Sequence, residues 1–258
     1  MEHGHIDHTG DVPALFGPGL IEGTPALVAD RSTTNQLAAL AAHFGCVAPI
    51  DYDNADEAAV KCPVPNVRIT ALHHSHAPHL KLAGLDVAAY GGFIKEPRDV
   101  PPSHASDYRL GNTWAYLIDL LDAQGRVAFR IHYADASGSP PHGMVPRKLL
   151  AERDVDVSIA CVPGFEQSDL YPEALLEHHR VRYTLAAHWE DFLQAPTEAL
   201  MPLRQVLDEA ALERFIDRAD ASMPKVNRLQ PLKPSRGPHG AGWALTVPGE
   251  TFQFATGR

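Results

Sequence analysis

The chain has 258 residues, a formal charge of −10 at pH 7 and 45% hydrophobic residues, a composition typical of a single globular domain spanning residues 1–258. Its acidic balance argues against nucleic acid and anionic membrane surfaces as main partners, although bound metal ions would still admit a small anionic substrate. No apolar run approaches the roughly 20 residues of a membrane helix. No signal peptide is visible, so a cytoplasmic protein that acts on a small molecule is the default expectation.

The predicted elements alternate between strands and helices along the chain. The apolar and β-branched patterns predict strands at residues 25–29, 67–72, 113–119, 127–133, 155–162 and 181–187. Helices are predicted at residues 33–44, capped by Ser32 or Thr33, and at residues 171–179 and 208–220. A turn at residues 122–125 joins two of the strands as a hairpin, and residues 243–247 and 251–254 are predicted to form a last one. This interleaving predicts a layered α/β fold.

Cysteine and histidine are used very differently. Cys46, Cys62 and Cys161 are odd in number and widely spaced, with no CxxC pair, so neither a disulfide framework nor a thiolate zinc site is expected. Cys161 lies in an apolar strand and is expected to be a buried small residue. Histidine, by contrast, occurs 15 times. The positions of the histidines therefore direct the search for a site.

Four possible metal ligands lie close together near the start of the chain, namely His3, His5, Asp7 and His8. In an extended segment, residues i and i+2 point the same way, so His3 and His5 can bind one ion together. A turn after them would direct Asp7 and His8 towards a second ion. Imidazole and carboxylate ligands suit zinc, and also iron or manganese.

These four residues form the pattern HxHxDH, and the chain resembles the metallo-β-lactamase superfamily in this motif. The resemblance implies a four-layer αββα sandwich and three later ligands, a His, an Asp and a His, each following a strand. Candidates in that order are His76, Asp135 and His188. Residues 188–192, His-Trp-Glu-Asp-Phe, are similar to the branch with lactonase-like and phospholipase-D-like members.

The resemblance also implies the roles of these residues. His3, His5 and His76 would hold one metal ion; Asp7, His8 and His188 would hold a second; Asp135 would bridge the two. The later histidine is the open assignment, since His73, His74 and His79 share its loop with the preferred His76.

The resemblance implies a hydrolase in which two metal ions, zinc first among the candidates, activate a water for attack on an ester, lactone or phosphodiester. Asp7 and Asp135 are the expected catalytic carboxylates, and His142, in the loop after Asp135, is a further histidine that can reach a substrate. Two alternatives stay open: a metal-binding remnant without catalysis, and an iron-dependent redox enzyme on the same fold. Oligomeric state and natural substrate are not readable from the sequence.

The chain departs from the family at its start. Members usually carry several strands before HxHxDH, whereas two residues precede His3 here. The expectation is that the N-terminal strands are missing from this sequence, which would leave a sheet edge unpaired.

Overall fold

The computed structural model describes residues 1–16, 21, 23–51, 57–62, 64–78, 80–82, 85–87, 90–192, 194, 200–203, 206–223, 230–231, 239–240, 242–247 and 249–254, with the backbone alone at 80–82, 85–87 and 230–231. The strands are β1 (Ala26–Asp30), β2 (Cys46–Ile50), β3 (Glu57–Ala59), β4 (Val67–His74), β5 (Leu80–Leu82), β6 (Leu85–Val87), β7 (Thr113–Leu121), β8 (Val127–Ala134), β9 (Val157–Cys161), β10 (Tyr183–Ala187), β11 (Gln230–Pro231), β12 (Trp243–Leu245) and β13 (Phe252–Gln253). The α-helices are α1 (Ile6–Thr9), α2 (Val12–Leu15), α3 (Arg31–Gln36), α4 (Arg147–Leu150), α5 (Glu173–His179) and α6 (Glu209–Ser222), and 3-10 helices lie at Ala38–His43, Ala105–Asp107 and Phe165–Gln167.

A mixed seven-stranded sheet forms the centre of the molecule, in the order β12-β10-β9-β8-β7-β4-β3. Strands β8, β9, β10 and β12 are parallel, while β7 is antiparallel to both β8 and β4. Because β7 reverses direction relative to each of these neighbours, β4 and β8 run the same way. The C-terminal ends of β4, β8, β9 and β10 therefore meet at one edge of the sheet.

Both faces of this sheet are buried, which follows from the alternation of side chains along each strand. On one face, Leu117 and Ala160 pack in a core cluster with Leu176 of α5 and Phe215 of α6. On the other face, Tyr116 packs with residues of the separate parallel β1–β2 sheet. The α/β class predicted from the sequence is confirmed.

Most predicted elements are present, with shifted boundaries. The hairpin of β7 and β8 turns at the predicted residues, where Gly125 has a φ of 75° that suits glycine. The predicted helix over residues 33–44 is wrong in its extent. It begins at Arg31, because the Asp30 carboxylate caps the backbone N–H groups of Ser32 and Thr33, and its α-helical part ends at Gln36.

The last predicted hairpin is also wrong. Strand β12 pairs in parallel with β10, and β13 pairs with β11. The open edge of β10 offers backbone hydrogen bonds to β12, and this long-range pairing is not visible in the local pattern.

The expectation of no disulfide is corrected by a bond between Cys46 and Cys62, whose Cα atoms are 5.8 Å apart. This proximity depends on the tertiary fold, since the two cysteines are 16 positions apart in the sequence. Cys161 is free and buried, as expected.

Within the described ranges, no helix combines the length and apolar character needed to cross a bilayer.

Candidate metal centre

Three of the sequence-predicted ligands follow strands that end at the same edge of the central sheet. His76 lies two residues after β4, Asp135 directly follows β8, and His188 directly follows β10. His188 has a φ of 60°, an unusual value for a residue with a side chain, and this turn ends the strand at the cluster. Such strain is found often at functional sites.

The N-terminal segment reaches this edge by backbone hydrogen bonds. The N–H of Trp114 in β7 donates to the carbonyl of Glu2 at 3.0 Å, and the N–H of Gly4 donates to the carbonyl of Leu110 at 3.0 Å. A Cβ atom at Gly4 would collide with the carbonyl oxygen of Arg109, so only glycine fits between His3 and His5. The motif is thereby held across the end of the sheet.

The first ligand group consists of His3, His5 and His76, whose candidate ligand atoms lie within 4.8 Å of one another. His3 Nε2 and His5 Nδ1 are 3.2 Å apart, close to the roughly 3.3 Å expected between two nitrogens on a tetrahedral zinc ion. His76 Nδ1 is 2.6 Å from the carbonyl of Ala77. Donation to that carbonyl requires a proton on Nδ1, which puts the lone pair of the neutral ring on Nε2.

The second group consists of Asp7, His8 and His188, whose ligand atoms also lie within 4.8 Å of one another. Asp7 Oδ2 is 3.4 Å from His188 Nε2 and 3.7 Å from His8 Nε2. The two groups adjoin, because the ring centroids of His3 and His8 are 3.9 Å apart.

Asp135 lies beside the second group. Its Oδ2 is 3.1 Å from His8 Nδ1, and its Oδ1 is 3.6 Å from His188 Nδ1. The Tyr133 hydroxyl donates to Oδ2 at 3.0 Å, and the Asp135 N–H donates to the buried carboxylate of Glu2. These contacts fix the orientation of the carboxylate.

The two aspartates and His188 form a charge-coupled set. Burial opposes ionisation of Asp7 and Asp135, but hydrogen bonds from His188, with further attraction from His8, outweigh it and hold both carboxyl pKa values well below their usual range. The same carboxylates overcome the burial of His188 and raise its pKa to about 10. Burial lowers the pKa of His3 well below its usual value. Without metal, the cluster thus combines two ionised carboxylates with a protonated His188 and a neutral His3.

The donor set fits divalent metal ions. Five imidazoles and two carboxylates converge, which is the ligand chemistry of zinc and of iron or manganese. The Nδ1 of His3 and the Oε1 of Glu2 are buried and have no hydrogen-bond partner among the described residues. Polar atoms buried in this way are costly unless something satisfies them.

A cavity of about 400 Å³ opens over the second group. Its lining includes Asp7, His8, Asp135 and His188, together with His76 of the first group. This size falls in the range of small-molecule sites.

The other histidines of the His76 loop lie elsewhere. His74 Nε2 is 2.8 Å from the carbonyl of Ala136, and His73 packs against His142 at 5.0 Å between ring centroids. His73 and His142 line a second cavity with His178, so the expectation that His142 reaches the substrate site is not met. His79 lies outside the described residues. The aromatic residues Trp114, Tyr116 and Phe129 are buried in the core and do not line the cavity.

Sequence reasoning missed three residues at the site. Glu2 and Tyr133 hold Asp135, and Cys161 lines the cavity with its Sγ grouped with ligand atoms of Asp135 and His188. Burial raises the pKa of the Glu2 carboxyl well above its usual value, and the nearby charge of Asp135 raises it further. An acidic residue directly before His3 was the one available signal.

Comparison of the chain with protein-family models, with curated proteins and with solved structures gave no match. The class of the protein is therefore argued from its own fold and site: an α/β protein with a histidine–aspartate cluster at the C-terminal ends of its sheet strands.

Proposed function

We propose that the protein is a dinuclear metal-dependent hydrolase of the metallo-β-lactamase type, with zinc as the expected metal. One observation carries the proposal. The seven residues of the predicted ligand set, which are spread from position 3 to position 188, adjoin one another at a single sheet edge beside a cavity. If the N-terminal histidines had no role in binding metal, they would not be expected to lie beside His76, Asp135 and His188.

The layering supports a four-layer sandwich as the finer fold assignment. Leu27 and Ala29 of β1 pack in a cluster with Leu37, just after α3, whereas Val28 packs towards the central sheet. Helices α5 and α6 cover the opposite face of the central sheet. The order of these layers is helix, β1–β2 sheet, seven-stranded sheet and helices.

The chemistry proposed is hydrolysis of an ester, lactone or phosphodiester. When bound, two divalent ions would supply Lewis acidity and lower the pKa of water. Asp7 and Asp135 line the cavity with acceptor oxygens, which can orient a water molecule by accepting hydrogen bonds from it. The water oxygen bonds to the acyl or phosphoryl centre, the bond to the leaving oxygen breaks, and that oxygen takes up a proton. Tyr133 and Glu2 keep Asp135 in place during this exchange.

The test is the metal content of the purified chain, measured by plasma mass spectrometry. We expect about two equivalents of zinc per chain. Asp135→Ala should lower this sharply, because it removes the carboxylate between His8 and His188. The matched control is Asp154→Ala, which removes a carboxylate that pairs with Arg180 away from the site. It should keep the full metal content.

Circular dichroism shows whether each variant is folded. A folded chain that binds no metal would contradict the proposal, and so would equal metal content in Asp135→Ala and wild type. About two equivalents of iron would favour the redox alternative instead.

A further inference from the structure

Two stretches of the chain, residues 189–192 and 200–203, border the cavity and are together called the flap. They are joined by hydrogen bonds from the Asp191 N–H to the Met201 carbonyl at 2.9 Å and from the Leu203 N–H to the Trp189 carbonyl at 2.8 Å. The Trp189 indole donates to the Thr246 carbonyl at 2.8 Å and anchors the flap to the sheet. These hydrogen bonds hold the flap in a defined position beside the cavity.

The flap and Val206, three positions beyond its last residue, present apolar side chains to the cavity. Phe192, Leu203 and Val206 line it. Phe192 is 46% exposed and Val206 is 58% exposed, although both face the site. Phe192 also packs against His188, with 5.8 Å between ring centroids. Apolar surface left open beside reactive groups gains free energy when an apolar ligand covers it.

The lining outside the flap, Val206 and the proposed ligands is also largely apolar. Pro78, Ala136 and Pro163 contribute to it, and the Ser137 hydroxyl is already engaged, because it donates to the Pro163 carbonyl at 2.8 Å. Among the described residues that line the cavity there is neither lysine nor arginine. A substrate with an anionic group remote from the metal ions would find no described cation to pair with.

We infer that the substrate is a neutral carboxylic ester or lactone with an aliphatic acyl chain, which lies along Phe192, Leu203 and Val206. The inference rests on the proposed function and narrows its substrate class. Water adds to the acyl carbon, the carbon–oxygen bond to the alcohol breaks, and the alcohol oxygen takes the proton. The flap residues contact the chain and so determine specificity.

The experiment measures kcat/KM of the zinc-loaded protein for 4-nitrophenyl acetate, butyrate, hexanoate and octanoate. The anionic 4-nitrophenyl succinate monoester and bis(4-nitrophenyl) phosphate serve as charged comparators. We expect kcat/KM to rise by about two- to fourfold for each added methylene, because each one buries more apolar surface. The two charged substrates should be the poorest.

Two valine variants locate the effect. Val206→Asp should reduce kcat/KM for the octanoate ester about tenfold or more, mainly through KM, and flatten the dependence on chain length. Val206→Ile retains an apolar side chain and should therefore retain both the kcat/KM for the octanoate ester and its dependence on chain length. The matched control is Val100→Asp, at a valine that is 69% exposed and does not line the cavity, and it should behave as wild type.

Failure of this inference differs from failure of the proposed function. Turnover that is flat or falls with chain length, or that favours a charged substrate, overturns the acyl-chain inference and leaves the hydrolase in place. If the metal-loaded protein turns over none of these substrates, calorimetric titration with N-methyloctanamide and N-methylacetamide decides whether the cavity takes an acyl chain. Saturable binding of the longer amide, weakened in Val206→Asp, supports the cavity assignment, and no binding overturns it.

Discussion

Two histidine clusters lie near each other in this protein and differ in what their ring nitrogens face. The site cluster comprises His3, His5, His8, His76 and His188, and it adjoins two carboxylates and a cavity. The interior cluster comprises His74, His132, His178 and His179. Each of its members bonds to the backbone of residues 136–145: His132 Nε2, for example, lies 2.9 Å from the Gly143 carbonyl, and the Val145 N–H donates to His179 Nε2 at 2.8 Å.

The comparison shows that the partner of the imidazole, and not the number of histidines, distinguishes a candidate metal site from a structural one. Burial lowers the pKa of His132 to about 4, despite the hydrogen bond to the Gly143 carbonyl that acts in the opposite direction. In the site cluster, Asp135 and Asp7 overcome burial and raise the pKa of His188 to about 10. The interior histidines hold the loop that follows Asp135, whereas the site histidines face one another and the carboxylates.

The sharpest test of this comparison uses two neighbours in one segment, His76 and His74. His76→Ala removes a proposed ligand and should lower hydrolytic activity by roughly 10³-fold or more, since even residues that only support ligands cost 10- to 100-fold. His74→Ala should instead destabilise the fold by about 2 kcal/mol, because it leaves the buried carbonyl of Ala136 unpaired. Activity assays and urea unfolding measure the two effects. If both variants lost the same activity per folded molecule, the distinction between His76 as a ligand and His74 as a structural residue would be wrong.

Removal of metal should lower the thermal stability of the protein, and this effect should depend on the residues of the site cluster and not on those of the interior cluster. Ligands that bind the folded state at about 1,000 times their Kd stabilise it by about 4 kcal/mol. For a chain of this size, a chelator should therefore lower Tm by about 10 °C. Differential scanning fluorimetry with and without chelator measures the shift. The chelator should change the Tm of Asp135→Ala only slightly, whereas it should lower the Tm of His132→Gln as much as that of the wild type. A full decrease in the Tm of Asp135→Ala would place the metal elsewhere.

The interior cluster should make the stability of the fold sensitive to acid. His132 stays neutral in the folded protein down to about pH 4, whereas its unfolded pKa is about 6.5. Between these values the unfolded chain binds more protons, so stability falls as the pH drops from about 6.5 to 4, by at most about 3 kcal/mol for this residue. His132→Gln should reduce the slope of unfolding free energy against pH in the metal-free protein. The control Val100→Gln introduces the same side chain at an exposed position that does not titrate, and it should leave the slope unchanged. An unchanged slope in His132→Gln would assign the acid sensitivity to other groups.

The local patterns that predicted elements correctly are those whose cause is local. Gly125 in its turn and the alternation of β7 and β8 depend on residues that are neighbours in sequence. The cap of α3 was placed two or three residues late, although Asp30 was visible, because the capping hydrogen bonds begin before the apolar pattern of the helix does. The Cys46–Cys62 pairing and the attachment of β12 to β10 depend on spatial proximity, which sequence spacing does not encode.

The sequence by itself supplied the HxHxDH pattern, and the family resemblance of that pattern was enough to propose His76, Asp135 and His188 as the later ligands, with His73, His74 and His79 still open beside His76. Only the tertiary structure decided that the strand ends share one edge, because that depends on β7 running antiparallel to both β4 and β8. It also separated His76 from His74, since their side chains leave the same segment in different directions, one towards imidazoles and the other towards a backbone carbonyl. The apolar flap beside the cavity was equally invisible in the sequence, because it arises from hydrogen bonds that bring residues 189–192 and 200–203 together.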